Sequence, residues 1–267
     1  MSKSYCSLGL MSGTSGDGVD ASIIQSDGEN YCEVIYDRYF SYHKQMNILR
    51  DLNKFKEKIN SSKDLDNLSK ELAHLEEQIT LFHGWVVEEV FKDLDYMKKG
   101  INIDLIGFHG QTIFHNAEEK ISRQLGDGKL LSKNTKKKVI YNFRQNDLES
   151  GGQGAPLTPI FHKLLVEQNK ISLPVYILNI GGISNLTIVR RFTDKNSIFA
   201  CDVGPGNCLI DQWIKKNNEG DYDENGKMAA SGKVNKLILN DALEKFSLKR
   251  IRKYVTSSYE EFNDNNF

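Results

Sequence analysis

Apolar and polar residues alternate along 5–11, 19–26 and 31–40, and a period of two predicts three strands of a meander. A turn at Ser26-Asp27-Gly28 joins the second strand to the third. From His43 to about Met97 the period lengthens. Leu65, Leu68, Leu72, Leu75, Ile79, Phe82, Val86, Val90 and Phe91 recur at steps of three and four, which predicts a long amphipathic helix with Asp64 or Ser62 as its cap. His74 and His83 fall inside it, where a surface or core histidine is expected before a ligand. Ile103–Phe108 reads as a short buried strand with His109-Gly110-Gln111-Thr112 at its end, the place where α/β sheets put ligand groups. Ile121–Leu125 and Val139–Tyr141 read as strands, and Gly126-Asp127-Gly128 as a turn. Pro156 is expected to open a helix through Phe161, Leu164 and Leu165. Pro174–Asn179 and Ile183–Val189 read as strands joined through Gly181-Gly182. Ser197–Ala200 is a strand ending at Cys201-Asp202, and Leu209, Ile210 and Trp213 follow at helical spacing. The tail from Phe246 is polar and carries no closing strand or capped helix.

The chain has 267 residues, 39% hydrophobic and 27% charged, which allows one large or two medium cores. A net charge of -1 leaves no electrostatic footprint for nucleic acid or an anionic membrane. The run Lys136-Lys137-Lys138 is short and reads as a solvated edge. Cys6, Cys32, Cys201 and Cys208 form no CxxC pair and fit free thiols in a reducing compartment. The chain enters a strand at once, without a signal peptide, and no apolar run is long enough to span a bilayer. A cytoplasmic protein is the expectation.

Chemistry concentrates in the turns. Between the first two strands lie Gly13, Thr14, Ser15, Gly16, Asp17, Gly18, Val19 and Asp20. Glycines admit a ligand close to the backbone, and turn N–H groups form a concave anion site. No lysine follows the glycines and no helix starts there, which excludes the GxxxxGK[ST] loop. Asp17 and Asp20 beside an anion site suggest a divalent cation. A hairpin that only turns the chain is the alternative, and this stretch alone does not separate the two. Asn179-Ile180-Gly181-Gly182 repeats the chemistry later, so two related halves are expected, each offering a phosphate loop. Between strand and helix, Arg144, Asp147 and Gln153 could converge within a glycine-rich stretch; an Arg–Asp pair that merely caps the helix is the bland reading. Asp202, at a strand end beside a helix start, could hold a water or a metal. Asp223–Lys227 lacks the spacing and closing glutamate of an EF-hand.

Together the motifs resemble one family. Met11-Ser-Gly-Thr-Ser-x-Asp-Gly-Val-Asp20, Gly107-Phe-His-Gly-Gln-Thr112, Gln124-Leu-Gly-Asp-Gly128, Phe143-Arg-x-x-Asp147 with Gly151-Gly-Gln-Gly-Ala-Pro156, Leu178-Asn-Ile-Gly-Gly-Ile-Ser-Asn185, Gly204-Pro-Gly-Asn207 and Asp223-x-x-Gly226 follow in this order. The pattern resembles the anhydro-N-acetylmuramic acid kinases of bacterial cell-wall recycling. The resemblance implies an α/β, two-lobed actin/hexokinase-like (ribonuclease H-like) fold, with lobes at 1–158 and 159–267. It implies ATP and Mg²⁺, a small-molecule sugar substrate and a double reaction, hydrolytic opening of the 1,6-anhydro ring and phosphorylation of the freed 6-oxygen. It leaves room for a homodimer.

Carried onto this sequence, the resemblance implies Asp147 as base with Arg144 beside it. It implies the 13–20 hairpin with Asn179, Gly181 and Gly182 around the phosphates, and His109, Gln111 and Asn185 at the sugar. Asp17, Asp20 and Asp202 are the metal candidates. Three residues depart from the pattern. Gly16 replaces a larger apolar residue, Asn142 an aspartate and Val203 a threonine. The family continues with a further glycine-rich segment near the adenosine site, and this chain stops before it, so a second lobe incomplete at its C-terminus is expected. A non-catalytic sugar-binding lobe is the alternative reading, and a different sugar kinase on the same fold a third.

Overall fold

The computed structural model describes residues 3–13, 16–42, 46–97, 100–190, 197–217, 220, 222–245 and 253–254. The chain divides into two compact units, Met1–Ala155 and Pro156–Phe267.

The first unit is a sheet with helices packed on it. Alternation does what it predicts: β1 (Tyr5–Ser12), β2 (Gly18–Ser26) and β3 (Cys32–Ser41) form an antiparallel meander. The helical region holds α1 (Met46–Lys58), α2 (Ser62–Asn67) and α3 (Ser69–Tyr96). The cap is Ser61, whose backbone N–H donates to Asp64 Oδ2 at 2.8 Å, so Asp64 sits in the first turn of α2 and Ser62 opens that helix; neither caps α3. β4 (Leu105–Asn116) returns parallel to β1 and gives the order β3-β2-β1-β4-β5. Its first half pairs with β6 (Lys138–Ile140) in parallel, and its second half with β5 (Ile121–Leu125) antiparallel. The sheet is therefore mixed, an antiparallel meander joined in parallel by β4 and β6 and antiparallel by β5, and with the helices packed on it the unit is α/β, as expected.

Two expectations about this unit need correction. His109-Gly110-Gln111-Thr112 lies inside β4 and not at its end, because the strand bends at Gly110 (φ +69) and continues against β5. Gly126-Asp127-Gly128 is not a plain turn either. Asp127 caps α4 (Gly128–Thr135), its Oδ1 accepting from Lys129 N at 2.8 Å and Leu130 N at 3.0 Å. α3 anchors this junction. Glu76 accepts from Gly126 N and Arg123, and Thr80 Oγ1 accepts from Asp127 N.

The core forms where the apolar stripe of α3 meets the strands. Leu75, Ile79, Val86 and Val90 pack with Leu8, Leu10, Ile23, Ile106 and Phe108, all fully or nearly fully buried. His83 lies in it as a core histidine.

The second unit repeats the meander. β7 (Val175–Ile180), β8 (Ile183–Val189) and β9 (Ile198–Pro205) are antiparallel, with the glycine turn again between the first two strands. A two-residue strand β10 (Lys253–Tyr254) pairs with β9, within a tail expected to carry none. α6 (Pro159–Gln168) starts at Pro159, three residues later than expected, and α7 (Cys208–Lys216), α8 (Lys227–Ser231) and α9 (Lys236–Lys245) follow. β9 runs on through Gly204 (φ +150) to Pro205, so Asp202 lies within the strand and not at its end. The four cysteines are free, as expected. No helix among the described residues is long and apolar enough to cross a membrane.

The second unit exposes large apolar side chains. Tyr176, Leu178 and Ile180 on β7, Trp213 on α7, and Leu237 and Ile238 on α9 are all exposed, Leu237 at 82%. Concentration-dependent self-association is expected of this chain. Replacing Leu237 and Ile238 together by Lys should lower the apparent mass by light scattering at high concentration, with the circular dichroism spectrum unchanged.

Candidate functional site

The turn between β1 and β2 is held from beneath by a buried polar network. Ser12 ends β1, and its hydroxyl lies 2.6 Å from Gln111 Oε1, 2.9 Å from the Gly18 carbonyl and 3.3 Å from the Tyr42 hydroxyl. Gln111 Nε2 donates to the Gly13 carbonyl at 2.8 Å. A carbonyl can only accept, which fixes the amide orientation and turns Oε1 toward Ser12. Gly16 N closes the turn on the same Gly13 oxygen at 3.1 Å, and Tyr42 N donates to Asp17 O at 2.8 Å. Ser12, Gln111 and Tyr42 are essentially inaccessible to solvent, and burial pushes the Tyr42 phenol up. Gln111, expected at the sugar, thus has both ends of its carboxamide engaged in holding the hairpin.

The hairpin residues differ among themselves. Gly16 adopts φ +68 and needs glycine's freedom. Gly18 is glycine for another reason, since a Cβ there would strike the Phe40 carbonyl and the Tyr39 ring. Val19, expected to face the nucleotide, is fully buried in the core and pairs with Phe40. It serves packing. Asp17 and Asp20 are exposed. Partial desolvation, and then the charge of Asp17, hold the Asp20 carboxyl above its ordinary range. Two hard oxygen donors whose charges repel fit a hydrated Mg²⁺, although among the described residues no three metal-ligating side chains gather. Thr14 and Ser15 lie outside the described residues.

A second cluster forms where β4 meets the stretch expected to be loop. Phe143–Glu149 is in fact a helix, α5, which puts Arg144 and Asp147 one turn apart. Both hold the backbone of Gly154. Arg144 Nη1 donates to Gly154 O at 2.8 Å, and Asp147 Oδ2 accepts from Gly154 N at 2.7 Å. Arg144 Nε donates to His109 Nε2 at 2.8 Å, and His109 Nδ1 bonds the Gly110 carbonyl at 2.6 Å. One nitrogen accepts and the other donates, so the imidazole is neutral with its proton on Nδ1. Desolvation first, and Arg144 second, push its pKa down to about 4. Both nitrogens of His109, expected at the sugar, are therefore engaged within the protein, Nε2 by Arg144 and Nδ1 by the Gly110 carbonyl. Gly152 lies against the Asp147 carboxylate, and any side chain there would collide with it.

In the second unit Asn179, Asn185 and Asp202 stand in register across β7, β8 and β9 as one polar row. The glycine turn is tied back by its neighbours. Gly206 N and Asn207 N donate to the carbonyls of Gly182 and Gly181 at 2.9 and 2.8 Å. Asp223 accepts from Met228 N and Ala229 N, which lowers its pKa and makes Asp223-x-x-Gly226 a helix-opening turn. Sequence reasoning missed Ser12 and Tyr42. Ser12 was legible as the hydroxyl before Gly13, but nothing near Tyr42 marks it.

The family model described as "Anhydro-N-acetylmuramic acid kinase" matches residues 5–261. A relative of that name from Pelagibacter ubique (strain HTCC1062) is 53% identical over 92% of this chain and 64% of its own length. Another from Brucella canis (strain ATCC 23365 / NCTC 10854 / RM-666) is 38% identical over 89% and 62%. The chain thus spans less than two thirds of the length of these curated relatives. A crystal structure of an exopolyphosphatase-like protein aligns over 81% of this chain and 60% of its own at 12% identity, with a TM-score of 0.34, too distant to carry an argument.

Two outcomes follow from the geometry. Gln111→Leu should lower unfolding stability by about 1–3 kcal/mol, because it removes a buried donor to the Gly13 carbonyl and the amide oxygen facing the Ser12 hydroxyl, and should speed hydrogen exchange at Gly16 N; unchanged exchange would show that the clamp does not hold the turn. His109 and His83 both have pKa values pushed down to about 4 by burial, from 6.5. The unfolded chain binds their protons below about pH 6.5 and the folded chain does not. Stability is therefore full above that pH and falls toward pH 4, by about 2 kcal/mol per histidine between pH 7 and pH 5. Urea midpoints of His109→Gln should show a correspondingly smaller loss across that interval.

Proposed function

The chain belongs to the anhydro-N-acetylmuramic acid kinase family, and on that premise we propose that it converts 1,6-anhydro-N-acetylmuramic acid, ATP and water to N-acetylmuramic acid 6-phosphate and ADP. The observation that carries the reading is the Asp147 carboxylate. Oδ2 is fixed by the Gly154 N–H, and among the described residues no hydrogen bond occupies Oδ1. Gly152 keeps side-chain bulk away from it. A carboxylate held by one oxygen can take a proton through the other.

In the proposed reaction a water attacks the anomeric carbon and gives its proton to Asp147. The bond from that carbon to the 6-oxygen breaks. The 6-oxygen attacks the γ-phosphorus, and ADP leaves. Arg144 holds Gly154 from the carbonyl side while Asp147 holds it from the N–H side, so the base is oriented through the loop it binds. Phosphoryl transfer asks for positioning and charge stabilisation. Backbone N–H groups of the 13–20 hairpin, with Thr14 and Ser15, would meet phosphate oxygens, and the Asn179–Gly182 turn would supply the second set. Asp17 and Asp20 would hold Mg²⁺ through waters, and Asp202 would be a further oxygen donor. The ion would offset phosphate charge when bound. His109 and Gln111 serve the sugar through the groups they fix, Arg144 and the hairpin, and Asn185 by direct contact. Consumption of ATP and a recycled wall sugar fits a cytoplasmic enzyme.

Asp147→Asn should reduce product formation about 10²–10⁴-fold, with ring opening and phosphorylation lost together. Mass spectrometry of the reaction in H₂¹⁸O checks both. Wild-type product should carry one heavy oxygen at the anomeric carbon. An Asn variant within a few-fold of wild type would place the base elsewhere.

A further inference from the structure

The first hairpin carries two carboxylates, Asp17 and Asp20, and no lysine or arginine occurs anywhere from Tyr5 to Ser26. A polyphosphate brought to it meets negative charge without a protein cation in the loop. The cation is on α1. An ideal side-chain carbon built on Gly16 would lie 3.1 Å from Lys56 Nζ, 3.5 Å from Leu52 Cδ1 and 3.8 Å from Gln111 Oε1. The ammonium thus fills the space that a side chain at position 16 would take, at the position where the family resemblance leads one to expect a larger apolar residue. Lys56 is not a loose surface lysine. Ile48, Leu52, Phe55 and Ile59 around it are buried in the core, so α1 is pinned, and Lys56 itself is half-buried. Its charged end reaches the turn.

We propose that Lys56 is an anion-binding residue of the first hairpin, delivering from α1 through the gap at Gly16 the positive charge that the loop lacks. The inference rests on the hairpin being the phosphate site. An ammonium on a flexible stem acts as a point charge toward phosphate oxygens, and Lys is a common partner for them. A glycine at 16 and a lysine at 56 then form one device: the missing side chain makes room for the charge.

The test uses the ¹⁵N-labelled 267-residue chain and sodium tripolyphosphate as the probe, without divalent cation. Amide shifts of Gly16 and Gly18 report the hairpin itself. In the wild type both should move, and the dissociation constant should weaken about tenfold or more in Lys56→Met, with Lys56→Arg staying within about threefold. Added salt should narrow the gap between wild type and Met variant. If Lys56→Met disturbs amides throughout the unit, Lys56→Gln replaces it, and the same tenfold loss is expected. Shifts at Gly16 and Gly18 with equal affinity in wild type and variant would overturn the role of Lys56 while leaving the hairpin as an anion site. No shift at either glycine in the wild type would overturn both.

Discussion

One buried carboxamide sets the geometry on which the first unit's chemistry depends. Gln111 reaches from β4 beneath the β1–β2 turn and satisfies the Gly13 carbonyl with one end and the Ser12 hydroxyl with the other. At full burial an unmet polar group is expensive, so the network is stable only when complete. Completeness requires β4 to lie parallel to β1 in one register, Ser12 beside Gln111, and Tyr42 to return at the end of β3. The turn of a two-stranded hairpin would otherwise be the most mobile part of the sheet. Here three strands and a buried hydroxyl pair hold it.

β4 uses the bend at Gly110 to serve two sites. On one side of the bend Gln111 secures the hairpin. On the other, His109 accepts from Arg144, and Arg144 and Asp147 bind the carbonyl and the N–H of Gly154. A Cβ on Gly110 would lie 2.5 Å from the Leu125 carbonyl, so the bend and the close approach of β5 both demand glycine. Two adjacent side chains of one strand thereby position the candidate base and the candidate phosphate turn, through groups that need not touch the substrate.

The strands of both meanders were legible because alternation survives wherever one face is buried. The apolar stripe of α3 was legible for the same reason at period 3.6. What was not legible follows from local chemistry that reads two ways. Asp127 between glycines has the look of a turn and acts as a helix cap. α5 spans seven residues, too few for a periodic stripe, and starts at Asn142 with φ 61, an atypical entry. Cys201-Asp202 reads as the end of a strand, yet β9 continues past Asp202 through Gly204 and Pro205. Of the site, the glycines, Arg144 and Asp147 were visible as residue types. The tasks of His109 and Gln111 were not, because a polar residue that binds substrate and one that holds its neighbour have the same sequence signature.

The two glycine turns, both candidate phosphate sites, share a plan and differ in what holds them. In the second unit Gly206 and Asn207 capture the carbonyls of Gly182 and Gly181. A peptide group is planar and trans, so holding the Gly181 carbonyl toward that loop sends the N–H of Gly182 the opposite way. In the first unit Gln111 and Gly16 N capture the Gly13 carbonyl instead. Each turn is thus aimed by what binds its oxygens, and the donors differ: a side chain from a parallel strand in one, the backbone before α7 in the other. The strand–glycine–strand plan repeats while its supports do not. The support is therefore where the two turns are tuned separately, and Lys56 beside Gly16 belongs to that part of the design. It adds charge to the first turn from a helix that lies some forty residues downstream in the chain and within side-chain reach in the fold.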